Sequence, residues 1–122
     1  MSDSSTTVSQ LRQLVNDFVE RRQWHQFHAP KNLAMSMAIE AAELMEHFQW
    51  LTAEQSRAIA EQPDRLEAVG EELADVLCYA LAMANELQLD LATTIQRKMK
   101  KNERKYPADE YRGRYGPEDP GQ

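Results

Sequence analysis

The chain has 122 residues, with 14 Lys plus Arg, 20 Asp plus Glu and a formal net charge of −6. One compact domain is the default at this length, and the acidic balance argues against a protein that coats nucleic acid or an anionic membrane by diffuse attraction. Apolar residues make up 42%, enough for a core, while four glycines and five prolines are too few for a turn-rich all-β fold.

The single cysteine, Cys78, excludes an intrachain disulfide framework and fits a reducing compartment. No basic-then-apolar leader opens the sequence, and no apolar run approaches the ~18 residues of a membrane span. The expectation is a cytoplasmic protein without a membrane partner.

Residues 1–7 are short and polar and read as a flexible N-terminus. Residues 107–122 hold three of the four glycines and three of the five prolines and read as a flexible tail rather than a helix. The stretch between them, 8–106, reads as one helical domain. Thr7 and Gln10 form a capping-box pattern, and Val8, Leu11, Leu14, Val15 and Phe18 then recur at helical spacing. This first helix fades near Gln23, and Pro30 disfavours helix through Ala29. A second helix is predicted from Asn32 to Trp50. Its apolar residues, Leu33, Met35, Met37, Ile39, Leu44, Met45 and Phe48, wrap most of the cylinder, the pattern of a central, buried helix.

A short third helix is capped by Thr52 with Gln55 and ends near Gln62. The fourth opens with Asp64 and Glu67 and runs to Leu87, with Leu66, Val69, Leu73, Val76, Leu77, Ala80, Leu81 and Ala84 as its core stripe. The fifth follows Asp90, an N-cap residue type, and ends in Arg97, Lys98, Lys100, Lys101, Arg104 and Lys105, the charge sign that suits a helix C-terminus. The fold class is all-α, a four-helix-bundle-like arrangement.

Two segments carry chemistry: Glu40-Ala-Ala-Glu43 in the second helix and Glu72-Leu-Ala-Asp75 in the fourth. Residues three apart lie about 60° apart around a helix, so each pair projects on one side. His47 and Tyr79 extend the two stripes by a turn. A lone E-x-x-E is usually a solvated face, and Glu67, Glu71 and Glu86 are read that way. The second helix is too apolar to have a broad wet face, so its carboxylates lose hydration, and two pairs brought together repel. A divalent cation resolves such a cluster, and oxygen-only ligands favour Mg²⁺ or Mn²⁺ over zinc or copper. A di-iron bundle needs Glu-x-x-His on two helices, and no glutamate here has a histidine three residues later.

Other residues have a bland and a functional reading. Lys98 and Asn102 share a helix face and suit phosphate oxygens, against an ordinary basic last turn. Trp24, Phe27 and Trp50 flank the second helix; such residues are core-edge plugs or sandwich a planar base. His25 and His28 are surface residues or substrate contacts. Cys78 reads as a small buried hydrophobe. Gly70 is the only glycine before Gly113, which excludes a Walker-type phosphate loop.

Glu40-x-x-Glu43, then 28 residues, then Glu72-x-x-Asp75 resembles the signature of the all-α nucleoside triphosphate pyrophosphohydrolases, the MazG-like superfamily, and within it the dCTP pyrophosphatase group. Trp24-His25-Gln26-Phe27-His28, Phe48-Gln49-Trp50, Gly70-Glu71-Glu72-Leu73-Ala74-Asp75 and Lys98-Met99-x-x-Asn102 through Tyr106-Pro107 carry the same likeness. The resemblance implies that Glu40, Glu43, Glu72 and Asp75 are catalytic and coordinate Mg²⁺, with Mn²⁺ as a substitute. It implies that Lys98 and Asn102 hold the triphosphate, that Trp24, His28, Trp50 and Tyr79 line the base and sugar pocket, and that Tyr106 joins the substrate-binding set. The implied reaction turns a pyrimidine deoxynucleoside triphosphate, dCTP or a modified dCTP, into monophosphate and pyrophosphate, clearing unwanted nucleotides from the pool. The implied assembly is a homotetramer, a dimer of dimers, with sites built from more than one subunit. Relatives can carry a base-contacting histidine where this chain has Val15, nine residues before Trp24, so other dNTPs such as dUTP or purine nucleotides stay open. The rival of another class is a non-enzymatic helical oligomeric interaction module, with wet, replaceable carboxylates.

Overall fold

A computed structural model describes residues 1–116; the part of the expected tail at 117–122 lies outside the described residues. All the regular elements among the described residues are helical: α1 (Val8–Arg21), α2 (Pro30–Glu46), α3 (Ala53–Ala58), α4 (Pro63–Leu87), α5 (Leu91–Lys105) and α6 (Ala108–Tyr111). Single 3₁₀ turns occupy His25–Phe27 and Ile59–Glu61. The chain divides into two compact units, Met1–Gln88 and Leu89–Gln122. In the first unit α2 packs mainly on α4, and α1 packs on another part of α4.

Local chemistry sets most helix starts. Thr7 and Gln10 close a full capping box on α1, as do Thr52 and Gln55 on α3. Asp90 caps α5 by accepting the Thr93 N–H at 3.0 Å. Two starts differ from the sequence expectation. Pro30 and Pro63 occupy the first helical positions of α2 and α4, where a missing N–H costs nothing and the fixed φ suits a helix. Pro63 therefore starts α4 before Asp64, and the expected Asp64 cap is not formed. The predicted end of α2 at Trp50 is also corrected. The helix stops at Glu46, where the His47 and Phe48 N–H groups turn back to the Leu44 and Met45 carbonyls in tighter bonds. Ala108–Tyr111 forms one helical turn where the composition predicted none; Pro107 stands at its N-cap and Asp109 and Glu110 in its first turn.

The first unit has a small core. Val19, Leu33, Ile59, Ala82 and Ala84 are its buried apolar side chains. The expectation of a centrally buried α2 is corrected: of its residues only Leu33 is buried, and Met35, Ile39 and Met45 are 50–60% exposed. One neighbouring helix covers one face, and α2 is apolar on more than one. Of the predicted α4 stripe, Ala84 is buried while Leu66, Leu73 and Leu77 are about half exposed.

A reciprocal clamp joins α1 to the end of α4. The Arg12 guanidinium donates to Asn85 Oδ1 (3.1 Å) and to the Ala84 carbonyl (3.0 Å), and Asn85 Nδ2 donates to the Arg12 carbonyl (3.0 Å). The Ala84 carbonyl also accepts the Gln88 N–H, so Arg12 adds a second hydrogen bond in the last turn of α4, where a cation suits the helix dipole.

Candidate functional site

The two acidic pairs meet where α2 faces α4. Carboxylate oxygens of Glu40, Glu43 and Glu72 lie within 4.8 Å of one another. Asp75, one turn beyond Glu72, raises the pKa of both Glu40 and Glu72 through its charge. Hydrogen bonding with Glu43, loss of hydration and the neighbouring negative charges push the Glu40 carboxyl up to about 7. Glu72 is raised first by lost hydration and then by Glu43, with His47 opposing the shift.

Glu40 Oε2 and Glu72 Oε2 are both buried with no hydrogen-bond partner among the described residues. Three convergent carboxylates, two with orphaned oxygens, make an all-oxygen donor set that fits a hard divalent cation. These residues are on helices, so the donors are held on rigid elements.

A cavity of about 510 Å³ opens beside this cluster, with Glu40 and Asp75 in its lining. Trp24, His28, Phe18 and Tyr79 supply its aromatic wall, and Leu14, Val15, Val19, Cys78 and Ala82 the rest. The Phe18 and Trp24 rings meet edge to face at 5.7 Å, and Trp24 and His28 lie 6.5 Å apart at 40°. His28 Nδ1 is a third buried polar atom without a partner among the described residues.

The position of Trp24 follows from how α1 ends. Gln23 takes the left-handed conformation (φ 54°). That reversal lets the Trp24 N–H reach the Val19 carbonyl (3.0 Å) and the Gln23 N–H the Glu20 carbonyl (3.0 Å). Both bonds of a Schellman motif are therefore present, and the Trp24–Phe18 contact supplies its usual hydrophobic closure. The turn then runs through His25–Phe27 to His28, whose N–H bonds the His25 carbonyl (3.1 Å).

The structure brings together Glu40, Glu43, Glu72, Asp75, Trp24, His28 and Tyr79 of the predicted site residues. Trp50 is 86% exposed in the turn after α2 and is not part of this cavity's lining. Lys98 and Asn102 are on α5 of the second unit, and Tyr106 caps that helix. There the Asn102 amide lies 3.8 Å from Met99 Sδ, and the Tyr106 ring meets Tyr111 edge to face at 5.2 Å.

Two sequence readings need correction. Cys78 is exposed and lines the cavity, since its position on α4 faces the opening rather than a neighbouring helix. Partial loss of hydration against the cavity wall and the Asp75 charge push its thiol pKa up, which favours the protonated, weakly nucleophilic form. Glu86 is not on a fully solvated face: its side chain is 23% exposed and its Oε1 lies 2.6 Å from His25 Nδ1. The sequence reading took Leu14 and Phe18 only as a helix stripe and missed them as cavity wall, whereas Val15, where relatives can carry a base-contacting histidine, does line the cavity. An apolar wall and a core stripe carry the same helical periodicity, so spacing offers no signal to separate them.

An all-helical chain with paired carboxylates on two packed helices beside an aromatic cavity defines a class of protein, and similarity to known proteins specifies it. The sequence matches the MazG-like family over residues 35–115. The chain belongs to that family. It is 38% identical over 110 residues to dCTP pyrophosphatase 1 of Bos taurus, covering 90% of this chain and 65% of that protein. It is 39% identical over 102 residues to dCTP pyrophosphatase 1 of Homo sapiens, covering 84% and 60%. The chain thus spans less than two thirds of the length of these curated relatives. The crystal structure of a pyrophosphatase from Archaeoglobus fulgidus superposes with a TM-score of 0.74 at 37% identity, covering 88% of this chain and 98% of that one.

Proposed function

We propose that the chain is a Mg²⁺-dependent nucleoside triphosphate pyrophosphohydrolase acting on dCTP or a modified dCTP. The observation that carries this reading is the carboxylate cluster set against an aromatic cavity with Glu40 and Asp75 in its lining. The identity to dCTP pyrophosphatases of mammals supports the substrate class.

Glu40, Glu43, Glu72 and Asp75 would hold Mg²⁺, with Mn²⁺ as a substitute. Bound there, the cation would neutralise phosphate charge as the α–β anhydride breaks. Trp24 stacks on the base, with His28 and Tyr79 beside it. The apolar wall of Leu14, Val15 and Val19 excludes water from the base end of the cavity. A cluster carboxylate orients the attacking water, and the products are the nucleoside monophosphate and pyrophosphate. For the second unit, sequence likeness supports Lys98, Asn102 and Tyr106 as substrate-binding residues.

The working assembly in this reading is a homotetramer in the cytoplasm, with Trp50 completing a site from another subunit. The exposure of Met35, Ile39 and Met45 on α2 supports burial against further copies. Sedimentation at a tetramer's mass tests it.

The activity test is incubation with each dNTP and Mg²⁺, with assay of monophosphate and pyrophosphate. Turnover of dCTP to those two products is expected. Orthophosphate release, or no turnover of any nucleotide, overturns the reading, and preference for dUTP or a purine shifts it within the class. Asp75→Asn is expected to cut turnover by orders of magnitude with helical content intact. The interaction-module reading predicts no Mg²⁺ binding and no change in Glu40→Gln.

A further inference from the structure

We propose that His25 and Glu86 form a positioning pair, which holds the turn carrying Trp24 and His28 against the α4 wall of the cavity. The proposal rests on the nucleotide reading above for its kinetic consequence, but the pair itself is a matter of geometry. His25 Nδ1 and Glu86 Oε1 lie 2.6 Å apart although 61 residues separate them in sequence. A carboxylate only accepts hydrogen bonds, so Nδ1 carries the proton.

The placement on α4 gives the pair its meaning. Asp75, Tyr79, Ala82 and Glu86 follow one another at intervals of four, three and four, which puts them on one helix stripe. The first three line the cavity. Glu86 continues the same stripe to the end of the helix, where it reaches the turn.

The turn is otherwise held from two other directions. The Trp24 N–H bonds the Val19 carbonyl of α1 (3.0 Å), and Asn32 Nδ2 of α2 bonds the Phe27 carbonyl (3.3 Å). The His25–Glu86 bond ties the turn to α4, the helix that also supplies Glu72 and Asp75. His25 follows Trp24 directly, and its carbonyl accepts the His28 N–H at 3.1 Å. Releasing His25 therefore frees both rings together. The carboxylates of α2 and α4 are untouched by that release, so the expected loss is in substrate binding and not in the chemical step.

His25 is 42% exposed and Glu86 23% in their side chains. A pair so placed contributes modestly to folding, and an effect of about three- to fivefold on KM is the appropriate scale.

The experiment uses the full chain and four variants: His25→Ala, Glu86→Ala, the double variant, and Glu86→Gln, whose amide oxygen still accepts from Nδ1. With dCTP and Mg²⁺, each alanine variant is expected to raise KM about three- to fivefold with kcat within about twofold. The double variant is expected to match the singles, because they remove one interaction. Glu86→Gln is expected to recover most of the wild-type KM.

A second readout is independent of turnover. In a Trp50→Phe background Trp24 is the sole tryptophan, and Glu86→Ala is expected to increase its acrylamide quenching while circular dichroism stays unchanged. Absence of wild-type turnover overturns the nucleotide reading, and the quenching comparison then decides the pair alone. Unchanged quenching, an unchanged KM in an active enzyme, additive single effects, or a fall in kcat at constant KM overturns the positioning role.

Discussion

Cation binding to the acidic cluster should depend steeply on pH across neutrality, because one ligand must lose a proton first. Glu40 has a pKa pushed up to about 7 by its hydrogen bond with Glu43, lost hydration and three neighbouring carboxylates. Its ionised fraction is then about 0.1 near pH 6 and about 0.9 near pH 8, so apparent affinity should rise about tenfold between them and level off above. Isothermal titration with Mg²⁺ or Mn²⁺ at three pH values measures the rise. Repeating it near pH 7 in two buffers of different ionisation enthalpy should show release of about half a proton per cation. Glu40→Gln should weaken binding and lose the slope together. An affinity flat between those pH values, or binding without proton release, would falsify the argument that crowding of carboxylates sets this pKa.

Stability without the cation should run the other way. The folded pKa of Glu40 lies above its ordinary value of 4.5, so this group's contribution is fully present below about pH 4.5 and is lost as pH rises through about 7. Melting in EDTA should therefore show Glu40→Gln gaining on the wild type over that window; equal melting curves at every pH would count against it. Trp24→Ala should raise KM for the nucleotide about tenfold while leaving kcat near wild type, the scale of a lost base–aromatic stack; a kcat-only defect would remove Trp24 from the binding wall. Leu33→Ala should cost about 2–5 kcal/mol by urea denaturation, since Leu33 is 1% exposed and the largest fully buried side chain. Gly70→Ala should stabilise by up to about 1 kcal/mol, because nothing lies within 4 Å of the added methyl in the middle of α4; destabilisation would show that another copy packs close to that backbone.

Helix identity and most capping were legible because they are local. Thr7 with Gln10, Thr52 with Gln55, and Asp90 each act within one turn, and all three appear as read. Asp64 failed for the same local reason inverted: Pro63, one residue earlier, is itself a good first helical residue. The carboxylates were legible as two i, i+3 pairs, and three of their four members converge as expected. Burial was not legible. Ile39 and Met45 read as core by composition, yet α4 covers only part of α2 and they stay exposed. A single sequence records that a side chain is apolar without recording which chain covers it. The rest of the cavity wall was hidden similarly, since Leu14 and Phe18 have the spacing of an ordinary helix stripe. The left-handed Gln23 that turns Trp24 toward that wall carries no signal at all, because the motif usually announces itself with glycine or asparagine.

The charge balance makes sense only when surface and site are separated. A net charge of −6 disfavours diffuse attraction to polyanions. The cluster repeats that problem locally: Glu40 and Glu72 keep buried oxygens unpartnered, and a triphosphate brought near them meets like charge. The aromatic wall is suited to a planar base and carries no cationic lysine or arginine for phosphate. Binding of a nucleotide to this unit therefore depends on neutralising the same carboxylates that keep it out. In the proposed function, recognition of the base and neutralisation of the phosphates fall to different residues, Trp24 and His28 for one and the acidic pairs for the other. Their spacing is fixed where the turn of Trp24 meets the helix of Asp75. In that reading a misplacement of about 1 Å in that spacing misaligns one half of the ligand when the other is seated, so a partly exposed contact such as His25–Glu86 is expected to act on binding more than on folding.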